Sequence, residues 1–172
     1  MNIVAFYLGY KPDHAGRMIT DIWQFEPKHL ENIHDYIQIL FPLREPSRFH
    51  EEAPLLTDEI ISQFKEGPDS ALLKRNLLIS YRLMLDFYNL RLDYYDPYKV
   101  VIQHDDFDGH WVTQSNHNFW RVTRILTCLD TLGCEQYAKG FLTFLTTWLY
   151  DEYKGIISPL NLEYWRQAVR EN

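Results

Sequence analysis

Two cysteines in 172 residues are too few for the disulfide framework of a secreted scaffold. Cys128 falls within a helical pattern and nothing in the spacing turns Cys134 towards it, so both are read as reduced thiols of a cytosolic protein. Glycine is scarce, and the chain has no Gly-rich phosphate loop, no Cys-x-x-Cys pair and no nucleophile elbow. Long apolar runs are missing as well. The longest apolar helical stretch, Tyr137–Tyr150, contains Lys139 and falls well short of the roughly 20 residues that span a bilayer. The apolar start MNIVAFYLGY is short and has no basic leader, so no signal peptide is expected. Positive charge is in deficit: 17 Lys and Arg against 24 Asp and Glu give a net charge of −7. An acidic surface repels phosphate backbones at long range, which argues against nucleic-acid binding.

What the chain does have is apolar and aromatic weight. Hydrophobic residues make up 46% and aromatic residues 16%, which excludes a disordered chain. A globule of this length buries roughly 70% of its unfolded surface and needs no staple. The periodicity is helical almost throughout. Asp13 is placed to cap a helix reaching about Gln24, with Met18, Ile19, Ile22 and Trp23 on its apolar face. Pro27 suits the first turn of a second helix, on which Leu30, Ile33, Ile37, Leu40 and Phe41 recur at spacings of three and four until Pro42 ends it. Thr57 caps a short helix to about Glu66, stopped by Gly67 and Pro68. A long helix over about Asp69–Tyr88 carries two apolar rows: Leu73, Leu77, Tyr81, Met84 and Tyr88, then Leu72, Ile79, Leu83 and Phe87. Further helices are predicted from about Asn116 to Leu132, from about Glu135 to Tyr153, and from a Ser158 cap through Pro159 past Trp165. Between them Tyr98–Gln103 is rich in β-branched residues and reads as extended. The sum is an all-α single domain over residues 1–172, a helical bundle of about seven helices with one long irregular loop at about 91–115.

Several segments, in order, resemble one family. GYKPDHAGRMITDIW at 9–23, LENIHDYIQILFPLREPSRF at 30–49, APLLT at 53–57, NHNFWRVTRILTCLDTLG at 116–133 and YWRQAV at 164–169 are similar to successive motifs of the opioid growth factor receptor conserved N-terminal domain. Ile39 stands where that signature usually has Trp, and Trp120 where it more often has an aliphatic residue. The chain looks like the isolated domain found in microbes and fungi, without the vertebrate receptor's long C-terminal region. The resemblance implies a receptor activity with a short peptide ligand of the methionine-enkephalin kind. It also implies peripheral membrane association and, in eukaryotic relatives, a nuclear or membrane-associated location.

The residues themselves offer a few candidate sites. His34 and Gln38 are four apart and stack on one side of the predicted helix, with Asp35 beside them. They either fix neighbouring elements of the bundle or form the polar edge of a ligand groove. Arg121 and Arg124 are three apart and offer guanidinium groups for a carboxylate or phosphate. The structural alternative is pairing with Glu31, Asp35 or Asp130. His117, Asn118 and Arg44 complete the ligand-binding candidates, and Asn116 or Asn118 is placed to cap the helix. The run His104, Asp105, Asp106, Asp108 and His110 imitates a calcium loop with Gly109 at its sixth position. His104 and Ser115 then occupy positions that need carboxylates, so an acidic solvated loop without metal is expected.

These observations favour a cytoplasmic, non-enzymatic peptide- or protein-binding module without cofactor. The ligand's carboxylate would meet Arg121 or Arg124, and its ammonium Asp35 or Glu31. Two alternatives stay open: an enzyme of unknown class using His34 or His117 as acid–base group, and a structural oligomerisation domain joined through exposed aromatic residues.

Overall fold

The computed structural model describes residues 1–48, 50–104 and 107–170. They group into two compact units, 1–83 and 84–172, each taken by itself below. The helix α6, Ser70–Phe87, is shared: its residues through Leu83 belong to the first unit and those from Met84 to the second.

The first unit opens with α1, Ile3–Tyr7, whose Asn2 side chain accepts from the Ala5 amide at 3.0 Å. Phe6 and Tyr7 are buried, and the Tyr7 hydroxyl donates to the Leu40 carbonyl. The helix expected from Asp13 to Gln24 is only α2, Ile19–Ile22. Its N-terminal amide, on Met18, donates to Asp21 at 2.7 Å, while Asp13 has another use. The helix expected from Pro27 to Phe41 is two helices, α3 at Pro27–Asn32 and α4 at Tyr36–Leu40. Ile33 between them is extended, with φ −92° and ψ 126°. A side-chain bond spans the break: the Tyr36 hydroxyl donates to the Leu30 carbonyl at 2.9 Å, taking an acceptor that a continuous helix would use. Every residue of α4 is buried. Helix α5, Asp58–Glu66, begins as expected, with Thr57 Oγ1 accepting from the Ile60 amide. On α6, Asn76 donates to the Tyr7 carbonyl at 2.6 Å, and Ser80 accepts from the Trp23 indole at 2.9 Å. These polar groups tie α6 to the ends of α1 and α2. Of its two expected apolar rows, Leu73, Leu77, Tyr81, Met84 and Tyr88 are fully buried, but Leu72 is exposed and Ile79 and Leu83 are half-buried.

The second unit departs from an all-α fold. Within the stretch expected as irregular, β1 (Leu90–Leu92) pairs antiparallel with β2 (Val100–Ile102), Leu90 opposite Ile102. Helix α7, Asn118–Thr131, buries Phe119, Val122, Ile125, Leu126 and Leu129, the predicted face. Helix α8 opens as Glu135–Phe144, continues through a π-helical turn at Leu145–Leu149, and closes as Tyr150–Glu152. Helix α9, Pro159–Gln167, starts at Ser158, whose Oγ accepts from the Asn161 amide at 3.2 Å. With α8 taken as one helix, nine are present among the described residues. The excess over about seven comes from the unpredicted α1 and the split of Pro27–Phe41. The fold is therefore mostly helical with a small hairpin. No described helix is long and apolar enough to cross a membrane.

The hairpin is seated on α8 by a glycine. A Cβ on Gly140 would lie 1.7 Å from the Tyr98 carbonyl oxygen, and the Tyr98 ring meets Tyr137 edge-on at 4.9 Å. Gly140→Ala must push the hairpin off the helix. We expect a loss of about 1–3 kcal/mol in urea denaturation, with faster amide exchange in β2. An unchanged midpoint would show that the hairpin is free to move away.

Candidate functional site

In the first unit the charged groups form one closed latch. Asp13, expected as a helix cap, is buried in a loop closure: Oδ1 accepts from the Ala15 and Arg17 amides at 2.9 Å each. Its Oδ2 takes Arg17 Nε at 2.7 Å. That orients the guanidinium so that Nη1 and Nη2 meet the two oxygens of Asp35 at 3.0 and 2.9 Å, a bidentate contact. His14 Nε2 lies 3.4 Å from Asp35 Oδ2, and the His14 ring is 4.5 Å from that of His50. Burial pushes the Asp35 carboxyl up. The Arg17 hydrogen bonds and charge, with His14, outweigh it and hold the group below its ordinary value.

The other candidates of this unit lie nearby in sequence but play different parts. Gln38 is only 5% exposed. With its amide turned to satisfy both ends, the nitrogen donates to the His34 and Asp35 carbonyls at 2.7 and 3.1 Å. The amide therefore engages the two main-chain carbonyls that precede α4, and the shared helical face expected for His34 and Gln38 does not form, because His34 precedes the helix. His34 is exposed. Arg44 makes a surface pair with Asp58 at 2.7 Å.

In the second unit, the first turn of α7 is a polar knot. Asn116 Oδ1 accepts from the Asn118 amide at 2.9 Å and from its side chain at 3.0 Å, so Asn116 does the capping. Asn118 is buried and its Oδ1 accepts from Arg121 Nη1 at 3.2 Å. Arg121 is itself 5% exposed, while His117 and Arg124 are half-buried. Asp130, considered as a partner for these arginines, receives Arg170 Nε at 2.6 Å. The eight candidates therefore divide, with His34, Asp35, Gln38 and Arg44 in one unit and His117, Asn118, Arg121 and Arg124 in the other.

Beside that knot runs a groove of about 710 Å³, walled by residues 114–120 on one side and 150–161 on the other. Phe119 is buried at its base, and Trp120, next in the chain, is 55% exposed. The Trp120 ring lies against Tyr164 at 5.2 Å and 39°. Tyr150, Ile156 and Asn161 also line the groove, with Lys154 bound to Asp151 at 2.7 Å. Sequence reasoning missed this site. Its one signal was Trp120, an indole lying off the apolar row of its helix.

Among the described residues no cluster of three or more His, Cys, Asp or Glu could hold a metal. Asp105 and Asp106 of the calcium-like run lie outside the described residues. Asp108 bonds Nδ1 of His110 at 3.0 Å, a contact that draws its carboxyl below the ordinary value. Cys128 and Cys134 are buried and unbridged, and burial pushes the Cys128 thiol far up, away from reactive thiolate character.

The chain is mostly helical, with a charge latch in one compact unit and an aromatic-edged groove in the other. The chain belongs to the opioid growth factor receptor (OGFr) conserved region family, which it matches over residues 2–172. It is 32% identical to opioid growth factor receptor-like protein 1 of Mus musculus, an alignment covering 94% of this chain and 34% of that protein. It is 33% identical to the opioid growth factor receptor of Mus musculus, covering 90% of this chain and 25% of that protein. Against the Homo sapiens receptor the identity is also 33%, covering 90% of this chain and 23% of the relative. The chain thus spans between 23% and 34% of the length of these relatives. No solved structure matches it.

The latch gives a pH prediction. A carboxyl whose folded pKa is depressed contributes stability that is complete above its unfolded value and lost as pH falls through the folded one. Asp35→Asn should cost about 1 kcal/mol at neutral pH, the pair being partly exposed. In chemical denaturation the gap to the parent should close as pH falls through 3.8 and below. A gap that persists undiminished in acid would contradict the pairing.

Proposed function

We propose that the chain, acting as one domain over residues 1–172, is a non-enzymatic, cytoplasmic peptide- or protein-binding module. The observation that carries the reading is the groove beside α7, where a half-exposed tryptophan stands over a buried aromatic floor. Large aromatic side chains held at a pocket edge are the usual anchors of recognition. The names of the relatives, opioid growth factor receptors, point the same way. His117, Asn118, Arg121 and Arg124, the candidates on or next to the same helix, are not among the residues that line this groove. The buried thiols support a reducing compartment.

Isothermal titration with short peptides that carry an ammonium, a carboxylate and aromatic rings tests this reading. Trp120→Ala should weaken binding at least about tenfold and leave the denaturation midpoint nearly unchanged, since the ring is surface-exposed. Equal affinity in that variant would remove the groove from the reading.

A second reading, self-association, is favoured by the hairpin tip. Tyr94 and Tyr95 are 86% and 92% exposed, with rings 5.2 Å apart. If they join two copies, light scattering gives twice the chain mass, reverting to one on Tyr95→Ser.

A further inference from the structure

We draw no further inference here: the strongest candidate, the groove beside the start of α7 walled by residues 114–120 and 150–161, carries nothing beyond the reading above, since nothing in the structure shows what covers it.

Discussion

Two indole N–H groups with no access to water organise the second unit. Trp111 and Trp165 are both buried, and each donates to a main-chain carbonyl from another element: Trp111 to Tyr88 and Trp165 to Phe119, both at 3.2 Å. A buried donor left unpaired costs roughly 1–3 kcal/mol, so these bonds fix where the chain before α7 and where α9 must lie. The rings extend the constraint, since Tyr88 meets Trp111, Trp111 meets Phe119, and Phe119 meets Trp165. Phe119 pointing inward turns its neighbour Trp120 outward on the helix. The groove is thus a by-product of core packing: its floor is the inner end of the aromatic chain and its wall is the next residue along.

The first unit solves a different problem. Its loops carry many charges, and the folded chain satisfies the central ones internally. Asp13 shapes the loop around Arg17, and Arg17 then has only one edge left, which Asp35 fills. Such a site positions backbone and has few free valences for chemistry. In the second unit the polar side chains lining the groove are uncharged except for Lys154, which is paired with Asp151.

Local signals survived folding where the partner was local. Thr57 and Ser158 cap α5 and α9 through amides three residues on, and a proline at the start of α9 and a glycine after α7 are read directly from a chain. The row on α6 from Leu73 to Tyr88 is buried because its period alone decides which side faces inward. Readings failed where a side chain formed a bond that periodicity does not report. Asp13 has the chemistry of a cap, but Arg17 with Asp35 behind it is a stronger partner. The apolar stripe from Leu30 to Phe41 is genuine, yet the Tyr36 hydroxyl interrupts its helix by claiming the Leu30 carbonyl. The extended reading of Tyr98–Gln103 holds for Val100–Ile102, but its partner strand, Leu90–Leu92, lies where an irregular loop was expected to begin. The site was less legible than the fold. Asp35 and Gln38 were singled out for a ligand and are engaged by Arg17 and by their own backbone. The groove joins two segments some thirty residues apart, and no periodicity reports such a meeting.

The π-helical turn at Leu145–Leu149 bears on how this family can diversify. Such a turn accommodates one residue more than α geometry would in the same stretch. Each residue of an α-helix advances the chain by about 100°, so the additional residue decides which flank of the closing turn looks towards Trp120. Tyr150 and Lys154 line the groove in the present register. A single-codon insertion or deletion between Phe144 and Tyr150 would rotate a new pair of side chains into their place and leave every groove residue nominally unchanged. Comparisons between members should therefore weigh gaps in that stretch as heavily as substitutions.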